Sequence, residues 1–314
     1  MFKNILKKIA SLLIVMLGVS IITFFLVELA PSDPAEIMLI KRDIEITPQN
    51  LAATRSLMGL DGPLHVRYFN WLSRLMHGDL GISYNSGQPV LKEIMSRLPA
   101  TLTLTAGGMI AMILIAFPLG IAAALFNKTL IDHISRLVAL VGASLPSFYI
   151  GLLLISYIAV PSSWLPVMGS GSWKHLILPS LTLGFGLAAT YARLLRAGLL
   201  EVLQLDYVRA ARARGLKETV VVGIHALRNA LIPLVTVLGL SLGSLLGGTI
   251  VVEQVFAWPG VGRLAVQAIF NRDIPVLQGY ALFMAIIYVF VNLAVDLSYH
   301  YLDPRIRLGE KEAG

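Results

Sequence analysis

The chain has 314 residues, of which 56% are hydrophobic and only 14% are charged, whereas soluble domains carry about 25% charged residues. This composition, with a mean hydropathy of +0.77, excludes a soluble enzyme and indicates an integral membrane protein. The net charge of +7 is better explained by orientation in a bilayer than by binding to nucleic acid. The lack of cysteine excludes disulfides, thiolate metal sites and cysteine nucleophiles.

Six stretches without charged residues are each long enough to cross a bilayer as a helix. A charge at the bilayer centre costs about 3 kcal/mol, so we expect spans between consecutive charged residues. The stretches lie between Lys8 and Glu28, Arg97 and Lys128, Arg136 and Lys174, Lys174 and Arg193, Arg228 and Glu253, and Asp273 and Asp296. The sequence thus predicts an all-α polytopic membrane protein with six transmembrane helices. The first stretch is too long for a signal peptide and is interpreted as a retained anchor.

The distribution of basic residues predicts that both termini are cytoplasmic. With the N-terminus inside, fifteen Lys and Arg residues fall in cytoplasmic segments, against three on the other side outside the long first external segment. The fifteen are Lys3, Lys7, Lys8, Lys128, Arg136, Arg193, Arg196, Arg209, Arg212, Arg214, Lys217, Arg228, Arg305, Arg307 and Lys311; the three are Lys174, Arg263 and Arg272.

The first external segment contains signals for two short helices. Thr47-Pro48 and Asp61-Gly62-Pro63 are typical helix starts, and Gly59 and Gly78 stand where helices end. In the second helix, apolar residues at helical spacing form one stripe, which is expected to pack on the membrane domain or to lie at the lipid interface. The stripe consists of Leu64, Tyr68, Trp71, Leu72 and Leu75.

Four prolines within apolar stretches are candidate helix kinks or gating points. Each removes a backbone hydrogen bond and can bend its helix, although prolines also occur in membrane helices for packing reasons. They are Pro118, Pro146, Pro179 and Pro233.

Four acidic residues lie at the predicted ends of spans, namely Glu28, Glu253, Asp273 and Asp296. At such positions water or lipid headgroups can solvate a carboxylate, so we expect these residues to anchor the helix ends. Asp296 follows Asn292 by one helical turn and is the one that could instead face neighbouring helices.

The cytoplasmic connection from Leu203 to Leu234 is too organised for a simple tether. Asp206 is expected to be an N-cap, Tyr207 to Arg214 would form a helix about 12 Å long, and Gly215 suits a left-handed C-terminal position. Arg209 and Arg212 share one face, while Ala210, Ala211 and Ala213 keep the helix slim. Such a helix could enter a groove on another protein or lie among anionic headgroups, and the residues alone leave both readings open.

The chain lacks the sequence patterns of several catalytic sites. No lysine follows a glycine, which excludes a P-loop and hence an ATP site of its own. The six histidines, at positions 65, 77, 133, 175, 225 and 300, show no i, i+4 pair typical of a metal site. No catalytic residues, metal ligands or cofactors are predicted. A stand-alone channel or secondary transporter would lack a P-loop equally well, whereas a membrane-bound enzyme would need a cluster that is not present.

The motifs DYVRAARARGL, from Asp206, and HALRNALIP, from His225, resemble the cytoplasmic loop of bacterial ABC-importer permeases of the peptide and nickel branch. Further similar blocks occur in order along nearly the whole chain. They are Met58 to Leu64, GDLGISY from Gly78, RLPATLTL from Arg97, AWPGVGRLAVQAIFNRDIPVLQG from Ala257, and VDLSYHYLDPRIR from Val295.

The resemblance implies a type I ABC-importer transmembrane fold in the bacterial cytoplasmic (inner) membrane. It also implies partners: a second homologous permease subunit, two cytoplasmic ATP-binding subunits and an extracytoplasmic solute-binding protein, with surrounding lipid and no nucleic acid. The short loop helix would insert into a cleft of an ATPase subunit. The ATPase-coupling positions that fall on this motif are Asp206, Tyr207, Arg209, Ala210, Ala211 and Gly215. The broader importer pattern has Glu where this chain has Arg209, so no carboxylate role transfers there.

On this resemblance the chain divides into a first transmembrane helix (1–30), an external helical segment (31–93), an ABC transmembrane domain (94–303) with a coupling loop at 201–230, and a cytoplasmic tail (304–314). The blocks from Trp164 to Pro179 and from Ala257 to Gln278 look closest to nickel permeases. We therefore expect this chain to form half of a transport path for nickel, which would be carried as a chelate. The alternative cargo is a di- or oligopeptide.

Overall fold

The computed structural model describes residues 2–29, 33–162 and 164–302, with side chains at all of these positions except 2–11, 232, 236, 240, 242, 244, 246 and 295–302. Regular structure in the described residues is helical, with a single isolated bridge between Ile82 and Pro89. The predicted all-α class is confirmed. The chain forms two compact units: unit 1 comprises Met1–Pro99 and Gly260–Leu293, and unit 2 comprises Ala100–Pro259 and Ala294–Gly314.

Thirteen α-helices and two π-helical turns follow one another in the described chain. They are α1 (Phe2–Glu28), α2 (Pro34–Lys41), α3 (Pro48–Leu57), α4 (Leu64–Met76), α5 (Val90–Leu125), α6 (Leu130–Ser144), α7 (Ser147–Leu154) with a π-turn at Ile155–Ala159, α8 (Lys174–Val202), α9 (Asp206–Ala213), α10 (Glu218–Val220) with a π-turn at Val221–Ala226, α11 (Leu227–Val255), α12 (Val261–Phe270) and α13 (Ile274–Leu302).

Each of the six predicted spans corresponds to a helix or to a bent pair of helices. Among the described residues, α5, α8 and the Ile274–Ala294 part of α13 are long and apolar enough to cross a membrane, and two bent pairs bring the candidates to five. α1 corresponds to the remaining prediction. The third predicted span is not one straight helix, because Leu130–Ser144 and Ser147–Ala159 meet at 109°. Pro146, the N-cap of α7, lies at this bend.

In the segment of unit 1 that was predicted to be external, the predicted helices begin and end at the sequence signals. Thr47 caps α3 by accepting a hydrogen bond from the Asn50 backbone N–H at 3.1 Å. Gly59 and Gly78 follow α3 and α4 with φ of +67° and +78°, which is the left-handed region that glycine adopts without strain. A third helix, α2, was not anticipated; Asp33 caps it and Pro34 is its first residue.

Two residues of the apolar stripe of α4, Tyr68 and Trp71, pack on α1 as the packing alternative predicts, whereas Leu64 is exposed. The Phe24 ring lies 5.3 Å from the Tyr68 ring and 5.6 Å from the Trp71 ring, measured between centroids. The Ser20 and Tyr68 hydroxyls are 2.8 Å apart. Arg67 donates two hydrogen bonds to the Glu28 carboxylate. The segment predicted to be external is therefore fixed to the C-terminal end of α1 by both apolar and ionic contacts.

Helix α8 is the centre of unit 2, and small residues let its neighbours approach it closely. A Cβ at Gly120 of α5 would lie 2.9 Å from the Ala192 carbonyl oxygen, and a Cβ at Gly198 would lie 3.3 Å from the Ala230 carbonyl oxygen of α11. Small residues at helix contacts are the usual means of packing in membranes. The buried residues around this contact include Met112, Tyr191, Leu195, Leu199 and Leu234.

Two of the four acids predicted to be solvated at span ends are buried instead. Glu253 is fully buried in unit 2 and accepts a hydrogen bond of 2.7 Å from the Thr101 hydroxyl. Asp273 is buried in unit 1, where it accepts from the Ser83 hydroxyl at 2.6 Å and from two backbone N–H groups of the following loop residues, each at 3.1 Å. These donors come from distant parts of the sequence and provide hydrogen bonds to the buried carboxyl groups. The side chain of Asp296 lies outside the described residues.

Candidate functional site

The short helix predicted after the fourth span is present as α9. It has eight residues, Asp206–Ala213, which gives a length of about 12 Å. Leu205, not Asp206, occupies the N-cap position and makes no side-chain cap. The Asp206 carboxylate, on the first helical residue, instead lies 3.5 Å from Arg209 Nη1. The predicted start of the helix is therefore wrong by one residue.

Gly215 ends α9 as predicted. Its φ is +78°, and its N–H donates to the Arg212 carbonyl oxygen at 2.9 Å. A Cβ built at this position would meet nothing within 4 Å. The requirement for glycine here is consequently one of backbone conformation rather than of space.

The inner face of α9 packs into the core of unit 2. Val208 and Ala211 are buried and belong to the same apolar cluster as Val221 and Ala226 of the following π-turn. Ala211 therefore lies on the inner face, whereas the sequence placed it among the residues that keep the exposed surface slim. Burial at positions three residues apart fixes the orientation of this short helix.

The outer face of α9 is basic and exposed. Arg209 exposes 69% of its side chain, and Ala210, Ala213 and Arg214 are also exposed. This face combines cationic groups with small side chains, so a partner's backbone can approach closely.

Arg212 connects the end of α9 to the next helical turn. Its Nε and Nη2 donate to the two carboxylate oxygens of Glu218 at 3.1 and 2.6 Å. This hydrogen bonding lowers the pKa of Glu218 and raises the pKa of Arg212. Arg212, which was predicted to share a docking face with Arg209, therefore pairs with Glu218 within the loop itself.

Tyr207 joins α9 to the beginning of α11. Asn229 Nδ2 donates to the Tyr207 hydroxyl at 2.6 Å, and that hydroxyl donates to the His225 carbonyl oxygen at 3.4 Å. Sequence reasoning did not single out Asn229, although it stands within the HALRNALIP block. It also missed the π-turn Val221–Ala226, a rare form that is frequent at functional sites.

The four candidate prolines differ in their surroundings. Pro146 lies at the 109° bend between α6 and α7, and Pro233 follows a 42° bend between Glu218–Leu231 and Pro233–Gly239. Pro118 and Pro179 lie inside the continuous helices α5 and α8. A role of any of the four in gating stays a prediction.

The histidines of the described chain do not assemble with other ligand residues. Within the described residues, no three His, Asp or Glu side chains come together in a way that could hold a metal ion. On the predicted external side, His77 Nδ1 lies 2.8 Å from the Ser73 carbonyl oxygen and His175 Nδ1 lies 3.0 Å from the Ser172 hydroxyl.

Comparison with known proteins covers nearly the whole chain. The family model described as "Binding-protein-dependent transport system inner membrane component" matches residues 116–308. Its companion, "Binding-prot-dependent transport system membrane comp, N-term", matches residues 1–105. Among relatives, the "Glutathione transport system permease protein GsiC" of Salmonella choleraesuis (strain SC-B67) is 43% identical over 307 residues, which are 98% of this chain and 99% of that protein. The protein of the same name from Escherichia coli (strain K12) is 42% identical with the same coverage.

Solved structures with a similar fold include an inward-facing MetNI methionine ABC transporter, with a TM-score of 0.58 and 19% identity over 67% of this chain and 96% of that chain. An amino acid ABC transporter with histidines gives a TM-score of 0.52 and 17% identity over 74% of this chain and 98% of that chain. At these identities the likeness concerns the fold, and it agrees with the predicted type I ABC-importer architecture.

Proposed function

We propose that this chain, which belongs to the family of binding-protein-dependent transport system inner membrane components, carries a small peptide. It does so as a permease subunit of an ABC importer. The subunit itself is non-catalytic, and membership of the family implies ATPase, solute-binding and second-permease partners. The proposal replaces the nickel cargo that was favoured from the sequence with the peptide alternative.

The single observation that carries this choice is the identity of about two residues in five, along 98% of the chain, with permeases named for glutathione transport. Glutathione is a tripeptide, so these relatives support the peptide side of the branch. The described residues add no ligand cluster that would favour a metal ion. Nickel is unconfirmed and becomes an outcome of the test.

We further propose that α9 is the contact with the ATPase. Arg209 and Ala210 lie on its exposed face and would meet the partner's cleft, while Val208 and Ala211 pack inward. Gly215 would set the end of the helix and Tyr207 would pass its movement to α11 through Asn229. Asp206 would hold Arg209 in position at the first turn.

The membrane arrangement is proposed from the sequence. The excess of basic residues on one side supports cytoplasmic termini, with α9 on the same side as the ATPases. The assembly would contain this chain, one homologous permease, two ATP-binding subunits and one binding protein. The division into 1–30, 31–93, 94–303 and 304–314 is retained, although the 93/94 boundary falls inside α5, which begins at Val90; the segment 304–314 lies outside the described residues.

The test is uptake of labelled glutathione, a labelled dipeptide and radioactive nickel by cells with and without the gene. The proposal predicts that peptide uptake falls on deletion and returns on complementation, while nickel uptake is unchanged. Loss of nickel uptake that excess peptide does not compete away would contradict the peptide proposal and leave the family assignment intact.

A further inference from the structure

An ion pair between the buried Asp132 and the partly exposed Arg196 joins α6 to α8 near the end of α8 that precedes α9. Asp132 is the third residue of α6, and its side chain is only 1% exposed. Arg196 donates from Nε to Oδ1 at 2.7 Å and from Nη2 to Oδ2 at 2.9 Å. The pair is thus bidentate, the strongest common geometry for an arginine and a carboxylate.

The same pair also fixes the turn between α5 and α6. The Lys128 backbone N–H donates to Asp132 Oδ2 at 3.1 Å, and Arg196 Nη2 donates to Asn127 Oδ1 at 3.0 Å. Arg136, one turn further along α6, lies 3.3 Å from Asp132 Oδ1. One arginine on α8 therefore holds both the turn that follows α5 and the start of α6.

Arg196 lies close to the end of α8 that is connected to α9, so a displacement of α9 would be transmitted to it. α8 continues from Arg196 to Val202, about 9 Å further along the axis, and only Leu203–Leu205 separate it from α9. Close packing joins α6 and α8 elsewhere: a Cβ at Gly142 would lie 3.3 Å from the Ala189 Cβ. Apolar packing therefore joins the two helices near the end of α6, and the ion pair joins them near its start.

Stability alone is a weak reason for such a pair. Burying the Asp132 carboxylate and much of the Arg196 guanidinium costs desolvation energy that offsets part of their attraction, and well-packed apolar residues often serve a fold equally well. What an ion pair adds over apolar packing is a fixed geometry between the elements that it joins.

We propose that Asp132 and Arg196 are positioning residues that make α6 and the turn at 126–129 move as one body with α8 when the ATPases displace α9. This rests on the proposed function, in which α9 receives that displacement. Without the pair, α8 would move while α6 lags, and ATP hydrolysis would continue with less transport.

The test uses the complete transporter in proteoliposomes and measures both ATP hydrolysis and peptide uptake. Arg196→Ala is expected to lower the number of peptides moved per ATP by about fivefold or more, which is the lower range of coupling between sites. Arg193→Ala is the matched control, since Arg193 is an exposed arginine three residues earlier on α8, and its ratio should equal that of the wild type.

A reversible cross-link separates coupling from folding, because the natural chain has no cysteine. In Gly142→Cys with Ala189→Cys the two Cβ atoms would lie 3.3 Å apart, close to the Cβ separation of about 3.5–4.5 Å in a disulfide. The oxidised link should leave transport by the otherwise wild-type protein unchanged, since α6 and α8 already move together. In the Arg196→Ala background it should restore the peptide-to-ATP ratio, and reduction should abolish that rescue.

Several results would overturn the proposal. Cross-linking could block transport by the otherwise wild-type protein. Arg196→Ala could leave the number of peptides moved per ATP unchanged, or lower hydrolysis and uptake in the same proportion. Arg196→Ala could also fail to assemble, whether cross-linked or not. Absence of ATP-dependent uptake in the wild type would instead contradict the proposed function itself, so the two failures are distinguishable.

Discussion

Replacing Gly215 with alanine perturbs the end of α9 without introducing a steric clash. The φ of +78° is unfavourable for a residue with a Cβ, and left-handed backbone costs an L-residue about 1–2 kcal/mol. Because nothing lies within 4 Å of the added Cβ, this conformational cost is the whole direct effect. The population of molecules in which α9 ends with the left-handed residue, relative to those in which it does not, should fall about 5- to 30-fold.

Uptake of peptide per ATP in proteoliposomes measures the consequence, with the amount of inserted protein checked by immunoblot. Gly215→Ala should insert normally and lose most of its coupled uptake, whereas Gly215→Asn should retain much more, since asparagine tolerates left-handed backbone. Gly186→Ala is the control, because its Cβ also meets nothing and its φ is not left-handed. Equal uptake by the Ala and Asn variants would refute the conformational explanation.

Three further outcomes follow from contacts elsewhere. The hydrogen bond from Arg212 lowers the pKa of Glu218 from its ordinary value of 4.5. The pair therefore contributes less than about 1 kcal/mol to folding stability, which is complete above pH 4.5 and is lost as pH falls through the lower pKa of the folded state. Thermal unfolding measured from pH 7 downward should show this loss, and the Glu218→Gln variant should not. Gly184→Ala would place a Cβ 2.7 Å from the Met112 backbone nitrogen and should lower the yield of folded protein, measured by fluorescence-detected size exclusion. A normal yield would contradict the close packing. Gly247→Ala, whose added Cβ meets nothing within 4 Å, is the control. Asp273→Ala removes the acceptor of three hydrogen bonds and leaves the hydroxyl of the buried Ser83 without its acceptor, at a cost of about 1–3 kcal/mol. It should raise hydrogen exchange at residues 83–86, and unchanged protection there would count against this role.

Local signals allowed several elements to be predicted from the sequence. Thr47-Pro48 and Gly59 mark α3 because caps and left-handed ends depend on residues close in sequence. The same logic located α9 to within one residue and identified Gly215. Asp33-Pro34 carries an equivalent signal for α2 that was overlooked.

Features that depend on distant residues could not be predicted in this way. The burial of Asp273 rests on donors 188 to 190 residues away, and that of Glu253 on Thr101, 152 residues away. Pro146 indicated a kink, but the 109° angle is set by how α6 and α7 each pack on α8. The local sequence did not predict the π-turn before α11, and the inward position of Ala211 follows from the tertiary contacts of α9.

The most direct test of an ATP-coupled peptide permease is transport by the purified complex. This chain would be reconstituted in liposomes with its permease, ATPase and binding-protein partners, with ATP on the ATPase side and binding protein carrying labelled glutathione on the other. We predict accumulation of label above the external concentration that requires ATP hydrolysis and the binding protein. Equilibration of label without ATP, in the presence of correctly inserted protein, would contradict the account.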